Sequence, residues 1–115
     1  MVMVRQSRYT HELIEKGTEF TVSIPVNEMK KALGLCGTKS GRDMDKTSAA
    51  ELTLLPGKAV SVPVIKGCGL HFECKIVYKQ TMEPNLLDET NNKSWYANGD
   101  YHTLYYGEIV AAYEE

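Results

Sequence analysis

Two stretches of the chain alternate apolar and polar side chains with a period of two, the mark of a half-buried strand. In EFTVSIPV, residues 19–26, Phe20, Val22, Ile24 and Val26 lie on one side and Glu19, Thr21 and Ser23 on the other, with Pro25 closing the run. In GLHFECKIVYK, residues 69–79, Leu70, Phe72, Cys74, Ile76 and Tyr78 oppose His71, Glu73, Lys75 and Lys79. The second set should then face outward. YHTLYYGEIVAAY, residues 101–113, is rich in β-branched and aromatic residues and reads as a long strand, and Val2–Val4 as a short one. Helical spacing appears twice. SRYTHELIEKG predicts a helix over 10–16, capped by Ser7 or Thr10, with Glu12 in its first turn and Gly17 at its end. A second helix over 27–36 is capped by Asn27 and places Met29, Ala32, Leu33 and Cys36 on one face.

The rest reads as connection. Residues 37–63 are loop-like apart from one short helical turn, 81–95 are polar and irregular, and Asn98-Gly99 signals a tight turn. Strands near 19–25, 68–79 and 102–112 therefore dominate, decorated by short helices. Regular strand–helix alternation is missing, so an antiparallel, barrel-like sheet fits better than a doubly wound one. At 115 residues the chain is one domain, 1–115, large enough to bury a core.

Composition narrows the function. A hydrophobic content of 43% with 24% charged residues is globular, and a net charge of −2 with scattered basic residues offers no field for nucleic acid. No apolar run is long enough to span a bilayer, and MVMVRQSRYT is apolar too briefly for a signal peptide. Three cysteines, Cys36, Cys68 and Cys74, lack CxxC spacing and read as reduced thiols in a cytoplasmic protein. His11, His71 and His102 lack metal-ligand spacing, so no metal site is expected.

Two polar segments are candidates for binding. KSGRDMDK, residues 39–46, contains Ser40-Gly41-Arg42-Asp43, a pattern resembling a capping box, with Lys39, Arg42 and Lys46 adding positive charge. On spacing alone it is a capped turn with solvated charges. Arg42 and Asp45 read as structural, pairing locally to hold that turn. RQSRYT, residues 5–10, combines two arginines and two hydroxyls ahead of a helix. A phosphate cradle and an ordinary strand-to-helix turn describe it equally well. Neither a Walker loop nor a Rossmann glycine fingerprint is present, so a nucleotide-like ligand would be held by loops and turns. His102 is either a proton donor at a pocket mouth or simply exposed. Glu108 is either solvated or buried with a basic partner. Trp95 and Tyr96 either cover a planar ligand or pin their loop.

Taken in order, SRYT, FTVSIPV, CGTKSGRDMDK, ECKIVY and HTLYYGEIV resemble the flavin reductase-like family of FMN-binding split β-barrel proteins, which includes flavoredoxin. The resemblance runs from about Val2 to Tyr113, with SGRDMDK and the H…YYGEI pattern its more specific parts. It implies a mainly β split barrel, a homodimer, and FMN near the subunit interface, reduced by NAD(P)H. It implies Ser7, Arg8, Tyr9 and Thr10 at the FMN phosphate and ribitol, and Ser40, Gly41 and Lys46 along the isoalloxazine. His102 is implied beside the ring as the catalytic residue. Family members carry an upstream strand hairpin that also touches the flavin, whereas this chain starts almost at SRYT. The expected barrel is therefore incomplete at its N-terminus, with an open edge for a partner chain to cover. Three functions follow: an FMN-dependent NAD(P)H oxidoreductase, a flavin-binding electron-carrier module, or a ligand-free member with an assembly role. Retention of both loops favours the first two.

Overall fold

The computed structural model of the chain describes residues 1–26 and 28–115. The expected cap Asn27 lies outside the described residues. In chain order the elements are β1 (Val2–Arg5), α1 (Tyr9–Glu15), β2 (Glu19–Pro25), α2 (Lys30–Thr38), α3 (Lys46–Ala49), β3 (Leu54–Leu55), β4 (Val64–Ile65), β5 (Gly69–Thr81), α4 (Glu89–Trp95) and β6 (His102–Glu114). Four strands form one antiparallel sheet in the order β1-β6-β5-β2, and β3 and β4 form a separate two-stranded ladder. The expected strands and the first two helices stand within a few residues of their predicted bounds.

On one face of the sheet Phe20, Cys74 and Tyr105 form the buried cluster, with Val2, Val4, Ile14, Val22, Phe72 and Ile76 packed around it. Ile14 brings α1 onto this face. The Tyr105 hydroxyl donates to Glu15 at 2.6 Å, and Glu15 accepts from Lys79 at 2.7 Å, so the helix end is tied to the sheet by polar contacts as well. Two bulges interrupt the β5–β6 ladder, between Glu73 and Cys74 and between Ile76 and Tyr78. Beyond them Val77, Tyr78, Tyr106 and Ile109 are exposed.

The opposite face corrects the alternation reading. His71 and Glu73, expected to point outward, are fully buried. The segment between β3 and β4 covers them. Backbone N–H groups of Lys58, Ala59 and Val60 donate to the Glu73 carboxylate at 2.8, 2.7 and 3.0 Å, and Tyr113 donates its hydroxyl. His71 sits between the Ser23 hydroxyl and Glu115, each at 2.9 Å. On β2, Glu19 accepts from Ser61 while Thr21 donates to the Pro63 carbonyl. A period of two separates the faces of a strand, but a polar face can be buried once every donor and acceptor on it is partnered. No buried side-chain N or O among the described residues lacks a hydrogen bond.

Three further expectations are revised, and the open alternative at Glu108 resolves to the solvated one. Residues 81–95 are not irregular throughout: a 3-10 turn over Pro84–Leu86 leads into α4, which Asp88 caps by accepting from the Asn91 N–H. Neither Ser7 nor Thr10 caps α1; its N-cap is Arg8, which makes no side-chain capping bond. On α2, Leu33 is exposed, while Met29, Ala32, Leu35 and Cys36 are half-buried. Glu108 is solvent-exposed opposite Lys75. No helix among the described residues is long and apolar enough to cross a membrane.

Candidate functional site

The short N-terminal strand, the turn into α1, the end of α2 and the following turn meet around one cleft of about 1000 Å³. That is the upper end of the range of about 300–1,000 Å³ usual for small-molecule sites. Ser7, Arg8, Tyr9 and Thr10 line one wall; Ser40, Gly41 and Lys46 line another; His102 joins them at the start of β6. All eight expected site residues therefore border the same space. Met3, Val4 and Leu13 supply its apolar lining, and Cys36 to Lys39 add the end of α2.

The turn at 40–43 is built differently from a capping box. The Ser40 hydroxyl oxygen accepts from the Arg42 N–H at 3.1 Å and its carbonyl from Asp43 N–H at 3.1 Å, so it closes a local turn rather than opening a helix. The cap lies downstream at Asp45, whose carboxylate accepts from the Thr47 and Ser48 N–H groups and starts α3. Arg42 does not pair with Asp45. It reaches across to α1, donating to the Ser7 carbonyl at 3.0 Å and to Glu12, with its guanidinium 5.6 Å from the centre of the Tyr9 ring. A Cβ on Gly41 would stand 2.8 Å from the Tyr9 ring, so this position admits the ring only because it is glycine. Arg42 and Gly41 thus hold the two walls together.

Behind the other wall, Asp100 accepts from both the N–H and the hydroxyl of Ser7, at 3.0 and 2.5 Å. Donation by the Ser7 hydroxyl, outweighing burial, holds the Asp100 carboxyl below the usual range, with Arg5 and Arg8 adding to the effect. Arg5 donates to the carbonyls of Asp100 and Trp95 at 2.8 and 3.2 Å and packs 4.9 Å from the Tyr96 ring centre. Tyr96 bonds His102 Nδ1 at 2.7 Å and stacks on Tyr101 at 5.0 Å. Tyr96 therefore pins its loop, while Trp95 is largely exposed. Burial, aided by Arg5 and Arg8 and opposed by Asp100, lowers the His102 pKa, so the ring is neutral near pH 7.

Among the described residues, five cations, Arg5, Arg8, Lys39, Arg42 and Lys46, border the cleft against the single carboxylate of Asp43. Most are committed: Arg5 and Arg42 as above, and Lys46 to the Cys36 carbonyl at 2.7 Å, closing the end of α2. The side chains of Arg8 and Lys39 have no hydrogen-bond or ion-pair partner among the described residues. Asp100 was invisible to sequence reasoning because its partner Ser7 lies 93 positions away, and nothing near the Asn98-Gly99 turn signals that contact.

The Flavin reductase like domain family model matches residues 1–115. The chain belongs to this family. Over 109 residues this flavin reductase-like chain is 38% identical to an uncharacterized protein of Archaeoglobus fulgidus, covering 95% of the chain and 52% of that relative. Flavoredoxin from Methanosarcina acetivorans superposes with a TM-score of 0.72 at 32% identity, covering 99% of this chain and 51% of that one. An FMN-binding protein from Thermus thermophilus, solved with bound p-hydroxybenzaldehyde, gives 0.74 at 25% identity, covering 99% and 53%. The flavin reductase-like chain thus spans about half the length of the relatives it matches. Its curled, open sheet with short helices is the split-barrel architecture of these neighbours.

Proposed function

We propose that the cleft binds FMN and that the chain is the flavin-binding part of an NAD(P)H-dependent oxidoreductase. The carrying observation is the pair of cations, Arg8 and Lys39, uncommitted among the described residues, that line a cleft which also presents hydroxyls and a tyrosine ring. This donor set fits the ligand. A phosphate dianion calls for cationic donors, a ribityl chain for hydroxyl partners, and a planar ring for a flat wall. Arg8, with Ser7, Tyr9 and Thr10, holds the phosphate and ribitol. Ser40, Gly41 and Lys46 line the ring, and His102 beside it is the catalytic residue. FMN held by these residues would supply the redox chemistry between NAD(P)H and an acceptor. Lys46 brings positive charge, and neutral His102 brings a polar contact without adding charge of its own. Free, reduced cysteines support a cytoplasmic location; burial pushes the Cys68 and Cys74 thiols up, which keeps them inert.

Titration with FMN and riboflavin separates the roles. Arg8→Ala should weaken FMN binding by about 1–3 kcal/mol, the scale of a lost charge-assisted contact, and leave riboflavin, which has no phosphate, nearly unchanged. Absence of any flavin uptake by the wild-type chain, read from its visible spectrum, would rule the proposal out. Equal losses for the two ligands would remove Arg8 from the phosphate.

The same reading includes a homodimer. The exposed side chains Val77, Tyr78, Tyr106 and Ile109 support it, with the Tyr78 and Tyr106 rings 5.7 Å apart, as a surface suited to burial against a partner. Light scattering at micromolar concentration should give about twice the 12.9 kDa of one chain; a clean monomer refutes this part.

A further inference from the structure

We propose that Tyr96 is a positioning residue that fixes the tautomer of His102, donating its phenol proton to Nδ1 so that His102 keeps its own proton on Nε2. The inference rests on the reading of the cleft as a ligand site and adds the direction of one hydrogen bond inside it.

A neutral imidazole has one N–H and one acceptor nitrogen, and the partner of one nitrogen decides the state of the other. Here Nδ1 lies 2.7 Å from the Tyr96 hydroxyl, and Nε2 has no partner among the described residues. The Tyr96 hydroxyl likewise has no other partner among them. If the phenol accepted from Nδ1–H, its own proton would have no protein acceptor. If it donates to Nδ1, one bond satisfies both the phenol proton and that acceptor nitrogen, and only Nε2–H is left for a ligand or solvent.

Electrostatics point the same way. Arg5 packs against the Tyr96 ring and its charge also reaches His102, as does that of Arg8. Two cations beside the imidazole favour the neutral ring, which retains an acceptor nitrogen for the phenol. The phenol is held firmly enough for this task. Tyr96 stacks on Tyr101 with planes 16° apart, meets the imidazole edge-on at 85°, and donates its backbone N–H to the Asn92 carbonyl at 2.9 Å. Tyr101 is anchored in turn by donating its hydroxyl to Asn92 Oδ1 at 2.6 Å. His102, which lines the cleft, then offers the ligand a neutral N–H donor that does not depend on protonation. A tautomer fixed from behind in this way is a familiar device at histidine-bearing sites.

Two-bond proton–nitrogen NMR correlation on the flavin-free, 15N-histidine-labelled chain reads the tautomer directly. Because no flavin is present, a failure of flavin binding cannot register in this measurement. The expected result is the Nε2–H form for wild-type His102. In Tyr96→Phe, which keeps the ring stacking and removes only the hydroxyl, a mixture of both forms is expected. Near-ultraviolet circular dichroism verifies that the variant is folded, and Tyr96→Trp provides a second hydroxyl-free aromatic should the phenylalanine variant misfold. An Nδ1–H form in wild type overturns the proposal. So does a His102 tautomer unchanged in a folded variant without the hydroxyl.

Discussion

Glu73→Ala should remove about 4 kcal/mol or more of stability at neutral pH, more than any other carboxylate substitution in this chain. The Glu73 side chain is fully buried yet ionised. Burial by itself would raise its pKa; donation from the Lys58 N–H, the Tyr113 hydroxyl and the Ala59 and Val60 N–H groups outweighs that and holds it at about 2. Alanine leaves four donors facing a void, each unsatisfied buried group costing about 1–3 kcal/mol before relaxation or water entry. The segment from Lys58 to Val60 covers the second face of the sheet through these bonds, so its protection from hydrogen exchange should fall with them. Glu73→Gln keeps the shape but offers one acceptor oxygen and turns an NH₂ toward the donors, and should cost about half as much.

The same carboxylate makes stability depend on pH. Its folded pKa lies below the unfolded value near 4.5, so at pH 7 both states are ionised and the full contribution is present. As pH falls below about 4.5 the unfolded state binds a proton that the folded state refuses, and stability declines until pH reaches about 2. The difference of roughly two and a half units corresponds to on the order of 3 kcal/mol. Glu15, Glu19, Asp100 and Glu115 are lowered too, so the acid slope of wild type is a sum. Urea unfolding of wild type and Glu73→Gln at pH 7, 4 and 3 isolates this residue. Parallel slopes for the two proteins would show that Glu73 carries no special acid sensitivity.

This buried carboxylate also marks the limit of what the sequence discloses. Strand positions were legible because a period of two survives whatever packs on the sheet: β2, β5 and β6 stand where Phe20, Phe72 and the tyrosines of the last strand put them. Which face is buried was legible for only one side. Glu73 and His71 read as outward because ionisable residues seldom lie inside, and their partners, at 58–60 and 113 for Glu73 and at 23 and 115 for His71, are remote in the chain. The cleft shows the same division. The residue types of SRYT and SGRDMDK marked the walls, and the fold brings them to one space. Their bracing by Arg42 across to Ser7 and Glu12, and by Asp100 on Ser7, joins residues about 30 to 93 positions apart. Helix α4 was missed because Asn, Thr and Ser are weak helix formers; its start is set by the Asp88 cap rather than by an apolar stripe.

Gly107→Ala should destabilise the chain by about 3 kcal/mol, at the upper end of ordinary overpacking costs. Gly107 lies in the YYGEI stretch that carried much of the family resemblance, and the reason for glycine is spatial. It pairs with Ile76 in the β5–β6 ladder just where the register shifts. A Cβ built there would stand 2.6 Å from Phe20 Cζ and 2.8 Å from Cys74 Cβ. Phe20 can yield by changing rotamer, although it belongs to the buried cluster and has little room. The Cys74 contact is harder to relieve, because its Cβ moves only with β5. Phe20→Leu alone should cost about 1.5 kcal/mol through lost packing. In the Gly107→Ala background it should cost much less, or even stabilise, because the smaller side chain frees space for the new methyl. The coupling in this double-mutant cycle should be about 1–2 kcal/mol, well outside the additivity expected of independent sites. Strictly additive penalties would show that the ring and the glycine do not compete for one volume. The glycine of YYGEI would then need an explanation other than packing.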